Sequence, residues 1–136
     1  MIKERYVSLE VARLLKEKGF NEYCRTYYKD NKVQEDCTQP IHWNNVEWES
    51  YKILSAPTQQ MACDWLQEKH HYIINVHLDV DGEEATTFVW SIYEKINPEG
   101  AEPYARLYYE DDEPYDIDYK DDAINDALEY VLKNLI

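Results

Sequence analysis

The chain has 136 residues, 44% of them hydrophobic, and carries 14 basic against 28 acidic side chains for a formal net charge of −14. That length suits one domain with a real core, and three glycines and five prolines leave little room for flexible tracts. So negative a chain opposes direct binding to nucleic acid or anionic lipid, and its short apolar runs exclude a membrane-spanning helix.

A helix is predicted near residues 8–18. Ser8 is placed to cap it, and Val11, Leu14 and Leu15 form one apolar face. Lys16 and Lys18 suit its carboxyl end, and Gly19 stops it. The segment Tyr23-Cys24-Arg25-Thr26-Tyr27-Tyr28 is rich in strand formers, Lys29-Asp30-Asn31-Lys32 reads as a turn, and a returning strand starts at Val33. Pro40 and Asn44-Asn45 mark loop, and Glu47 to Leu54 is read as a short strand. A second helix near 57–69 follows Ala56-Pro57-Thr58, with Met61, Ala62, Trp65 and Leu66 as its apolar stripe.

The clearest strand pair is Tyr72–Val80 with Glu84–Ile92. Tyr72, Ile74, Val76 and Leu78 face one way, and Ile73, Asn75, His77 and Asp79 the other. A two-residue Asp81-Gly82 turn would set Ile74 opposite Val89 and split the aromatic rings between the faces. A three-residue loop, Val80-Asp81-Gly82, sets Ile74 opposite Phe88 and Tyr72 opposite Trp90, and puts Gly82 at the left-handed position. The second arrangement is preferred.

A further strand is predicted around Tyr104–Tyr109, and a last helix over 119–134. Asp118 is its expected cap, Asp121 follows three residues later, and Ile124, Ala127, Leu128, Val131 and Leu135 form the buried stripe. The expected fold is a single α+β domain, an antiparallel sheet of hairpins with about three helices packed on it. Trp65, Leu66, Ile74, Val76, Phe88, Trp90, Ala127 and Leu128 are its expected core.

Charge is unevenly spread. Residues 1–70 carry 11 acidic and 10 basic side chains, whereas residues 71–136 carry 17 acidic and 4 basic, a net of −13. The densest stretch, residues 110–122, holds eight carboxylates against one lysine. A field of that sign attracts basic proteins or cations.

No motif carries a catalytic signature. Asp79-Val80-Asp81-Gly82-Glu83-Glu84 resembles part of a calcium loop, but its flanks are strands and a hairpin turn explains it. Residues 110–122 could gather oxygens around a cation, against the simpler reading of a solvated loop entering a helix. Cys24, Cys37 and His42 lack zinc spacing, as do His70, His71 and His77. Cys63 lies beside a buried stripe, where packing outweighs a nucleophilic role, and His77 with Asp79 reads as a pair of surface polar groups. No metal or cofactor is expected.

Three segments carry a resemblance: Tyr6 to Phe20; Ser55 to Ala62 with Trp65-Leu66-Gln67-Glu68-Lys69-His70; and Tyr119, Asp121-Asp122-Ala123 and Ala127-Leu128-Glu129. Together they resemble a group of small uncharacterised proteins encoded by gut bacteria and by their phages and other mobile elements. That group usually has glutamates where Asp121 and Asp122 stand. The resemblance implies a cytoplasmic, phage-related protein, and implies no activity, cofactor or catalytic residue.

Three odd, sparse cysteines also read as reduced thiols of the cytoplasm, and the N-terminus lacks the apolar segment of a signal peptide. The leading expectation is a non-enzymatic acidic module that binds a basic protein partner, without direct contact to nucleic acid or membrane. Its expected surface comprises Tyr108, Glu110, Asp111, Asp112, Glu113, Tyr115, Asp116, Asp118 and Tyr119. Two alternatives stand beside it: a DNA mimic that blocks a host nucleic-acid-binding protein, and a small hydrolase. Self-association as a homo-oligomer stays open.

Overall fold

The computed structural model describes residues 5–35, 39–46, 52–81, 84–100, 104–110 and 119–136. Helix α1, Leu9–Glu17, starts where the sequence places it: the Ser8 hydroxyl accepts a hydrogen bond from the Val11 amide at 3.2 Å. It ends at Gly19, whose φ of +89° lies in the left-handed region. From there the Gly19 amide donates to Lys16 O at 3.2 Å and the Phe20 amide to Leu15 O at 2.9 Å. This paired closure satisfies two orphan carbonyls and folds Phe20 back beside Leu15, both fully buried.

A small sheet follows. Strands β1, Tyr27–Lys29, and β2, Lys32–Gln34, flank a turn in which Asp30 and Asn31 both take positive φ, at 48° and 69°. Strand β3, Ile53–Ser55, adds to the other side of β1, so the order is β2-β1-β3, antiparallel throughout. The strand expected over 47–54 is thus seen at its end, while residues 47–51 lie outside the described residues. Three-residue strands offer few ladder bonds, and side chains supply the rest. Asn44, on a short 3₁₀ turn over Trp43–Asn45, receives the Ser55 amide on its Oδ1 at 2.9 Å, and its own amide donates to Ser55 Oγ at 3.1 Å. The Trp43 indole donates to Cys24 O at 2.7 Å and stacks on Tyr27 at 3.9 Å.

Helix α2, Gln59–His70, is capped by Thr58, which accepts from the Met61 amide at 3.1 Å. Backbone bonds from Val7 to Pro57 O and from Gln59 to Arg5 O set the starts of α1 and α2 side by side. His71 closes α2 in the left-handed region, at φ 64°. The chain then enters a second antiparallel sheet, ordered β4-β5-β6, from strands β4, Tyr72–Asp81, β5, Glu84–Ile96, and β6, Tyr104–Glu110. Helix α3, Lys120–Asn134, packs across β4 and β5 and against α1 and α2. The architecture is α+β, as expected, but the described residues form two three-stranded sheets in place of one.

Register is where expectation and structure part. Tyr72 and Ile74 lie opposite Glu94 and Ile92, not Trp90 and Phe88; Val76 faces Trp90 and Leu78 faces Phe88. Asp81 pairs with Glu84, the expected loop at Gly82 lies outside the described residues, and position 86 is left unpaired by a bulge opposite Asp79 and Val80. Without that extra residue Ile74 would meet Ser91, and the apolar row of β5 would turn to the wrong face. The bulge restores the alternation. Tyr72, Ile74, Val76, Phe88 and Trp90 therefore share one face, as the sequence reading requires.

That face meets the helices. Trp65, Leu66, Trp90, Ala127 and Leu128 are buried, whereas Ile74, Val76 and Phe88 are only half-buried at the margin of the core. The expected cap of α3 is also displaced: Tyr119 occupies the capping position and makes no side-chain capping bond, while Asp118 lies outside the described residues. Asp121 and Asp122 in the first turn complement the helix dipole instead.

Trp65→Ala should destabilise the chain by about 3–5 kcal/mol in chemical denaturation, because the ring is 7% exposed and packs edge-on to Phe20 at 5.4 Å. Gly19→Ala should lose about 1–2 kcal/mol through backbone strain alone, since a Cβ there would meet nothing within 4 Å.

Candidate functional site

Of the expected partner-binding residues, Tyr108, Glu110 and Tyr119 are described; Asp111, Asp112, Glu113, Tyr115, Asp116 and Asp118 lie outside the described residues. Strand β6 positions the first two. It pairs with β5 alone among the described strands, and a second bulge leaves Tyr108 as the extra residue between Leu107 and Tyr109. The bulge splits two adjacent tyrosines. Tyr109 stacks on Tyr130 of α3 at 4.2 Å and lies 5.6 Å from Trp90, which pins β6 to the core. Tyr108 stays 49% exposed and meets Tyr72 edge-on at 5.8 Å.

Leu107, which the sequence reading did not single out, is 47% exposed beside it. The run Arg106-Leu107-Tyr108-Tyr109 has no period-2 alternation, which was the available signal for a two-sided, poorly covered strand. Arg106 is engaged with Glu94 at 3.4 Å across the strands. Tyr119 is 70% exposed at the start of α3. The described part of the acidic half thus places Leu107, Tyr108 and Glu110 on one exposed strand.

A polar cleft of about 340 Å³ opens where the three helices begin, lined by Arg5, Tyr6, Ser8, Gln59, Asp121, Asp122, Asn125 and Asp126. Its groups hold one another. Arg5 pairs with Asp121 at 3.0 Å, Gln59 Nε2 donates to Asp121 O at 2.8 Å, and the Ser8 amide donates to Asn125 Oδ1 at 3.2 Å. No cysteine or histidine lines it. The cleft reads as the joint that fixes α3 against the paired starts of α1 and α2.

The remaining candidates separate. Cys24 is buried; its sulfur lies 3.7 Å from Glu22 O and 3.9 Å from Met61 Sδ. Burial pushes its thiol up to about 11; a hydrogen bond with Ser55 opposes that rise and Glu22 adds to it. Burial first, then Asp64, pushes the Cys63 thiol up to about 12. Both are poor nucleophiles near neutrality. Cys37 lies outside the described residues. His42 Nδ1 is 2.6 Å from Asn21 O, under the Tyr23 ring at 3.7 Å. His77 and Asp79 are exposed on the sheet face away from the helices, opposite Val89 and Thr87. Among the described residues no group of three or more His, Cys, Asp or Glu is placed to hold a metal ion. No described helix is long and apolar enough to cross a membrane. Comparison with protein-family models, curated proteins and solved structures finds no match to this chain.

Two predictions follow from the titratable groups. At pH 8 the native chain should modify Cys24 and Cys63 with a thiol reagent on the order of a hundredfold more slowly than an ordinary exposed thiol, and denaturant should abolish the difference. His70, edge-on to Trp65 at 4.9 Å, is held below the ordinary histidine range by burial and then by His71. Its neutral form is favoured in the folded chain. The stability it contributes is therefore complete above the unfolded value of about 6.5 and is lost as pH falls through the lower folded value. An NMR titration should place the His70 midpoint below that of His70 in the unfolded chain.

Proposed function

We propose that the chain is a non-enzymatic acidic module that binds a basic protein partner through the surface around β6. One observation carries this reading. Leu107 and Tyr108, each about half exposed at 47% and 49%, stand on an edge strand that runs directly into the acidic stretch from Glu110 to Asp122. Tyrosine brings large contact area at low entropic cost, and surrounding carboxylates select basic partners and speed their approach. The raised thiols and the self-satisfied cleft give a hydrolase reading no comparable support.

The test is capture from a bacterial lysate, with mass-spectrometric identification, by the wild-type chain and by a variant carrying Asp111→Asn, Asp112→Asn, Asp116→Asn and Asp118→Asn. Basic proteins should be captured by the wild type at low salt, released as salt shortens the screening length toward about 8 Å at physiological strength, and missed by the variant. Chemical denaturation of the variant beside the wild type separates lost charge from lost folding, and an Asp118 cap would account for a loss of about 1 kcal/mol. Unchanged capture by the variant would reduce the charge asymmetry to a solubility feature. Displacement of the captured protein by duplex DNA would identify the partner as a nucleic-acid-binding protein and the chain as a DNA mimic.

A further inference from the structure

We infer that β6 is a docking edge, and that the partner adds to it, as a fourth strand of the β4-β5-β6 sheet, an extended segment alternating apolar residues with lysine or arginine. This rests on the reading above and specifies how the partner is held. An edge strand presents a row of backbone N–H and C=O groups, and an added strand satisfies them while its alternate side chains read the two faces. The two edges of this sheet differ. Helices α2 and α3 both contact β4, whereas no described strand pairs with the outer side of β6.

Edges are ordinarily protected by charge and by bulges. Here the one basic side chain of β6, Arg106, is tied back to Glu94, which leaves Leu107 exposed beside it. The bulge at Tyr108 bounds the regular run to residues 104–107, so the docked segment is short. Its apolar positions have Leu107 and Tyr108 to cover. Its basic positions meet a half-chain of net charge −13, with Glu110 at the end of the strand itself. Charge also decides against a second copy as the occupant. Two chains of net −14 repel, so edge-to-edge self-pairing works against the field that a basic segment works with.

The probe is an eight-residue peptide alternating valine and lysine, titrated into the isotope-labelled full chain at low salt. Binding should shift the amide resonances of Ala105, Arg106 and Leu107 and slow hydrogen exchange at those among them whose N–H points away from β5. A peptide of equal charge with proline in place of each valine loses the N–H of every second residue, and should bind at least about tenfold more weakly. Leu107→Glu, at an exposed position, should keep the fold and weaken the valine–lysine peptide at least about tenfold, since it removes the apolar contact. Equal, salt-sensitive binding of both peptides would overturn the docking edge while leaving the acidic module standing. No binding of either peptide would overturn both. Protection of the β6 amides in a dimer of the chain alone would make a second copy the occupant and overturn the inference.

Discussion

One row of side chains on β5 governs the larger half of this molecule. Trp90 and Ile92 are almost wholly shielded from solvent, and they meet the stripe of Ala123, Ala127, Leu128 and Val131 on α3. A strand exposes its residues alternately, so this row reaches the helices only if β5 keeps one phase against both neighbours. Bulges at position 86 and at Tyr108 keep that phase. The same bulge that holds Tyr109 against Trp90 and Tyr130 releases Tyr108 to the surface, so exposure at β6 is a by-product of packing at β5.

The smaller half is held differently. Its three strands are each three residues long, too short to stand alone. Asn44 closes a reciprocal pair with Ser55 and also donates to Phe20 O at 2.7 Å. Asp30 accepts from the Lys52 amide at 2.9 Å, and its own amide donates back to Lys52 O at 2.9 Å, which fixes the entry to β3. These bonds replace ladder contacts with side-chain clamps, and the apolar face they complete reaches the common core through Ile53, Phe20 and α1. Tyr28, whose hydroxyl donates to Val7 O at 2.8 Å, ties the small sheet to the segment leading into α1.

The charge asymmetry therefore divides in two. Asp121 and Asp122 stand in the first turn of α3, where the helix dipole favours carboxylates, and Asp121 also grips Arg5. These serve the fold. Glu110, at the open end of β6, serves no bond of that kind among the described residues, and its strand leads into a stretch with no compensating base before Lys120. Glu110, three and two positions along the chain from the exposed Leu107 and Tyr108, is the described carboxylate that the proposed recognition would use.

The helices were legible because their signals are local. Ser8, Gly19 and the 3.6-residue spacing of Val11, Leu14 and Leu15 act within one or two turns, and the same holds for the apolar stripes of α2 and α3. The alternation along β4 likewise settled which of its residues share a face. What the sequence by itself determined was thus the kind of each element and its buried side. Tertiary structure decided the register of β4 on β5, the two bulges, the capping position of α3 at Tyr119, and the exposure of Leu107 and Tyr108. The candidate surface was legible as a run of charge but not as a strand edge. Each of these features depends on which distant residue arrives opposite, and a slip of one position changes the answer by reversing every face, while leaving local propensity untouched.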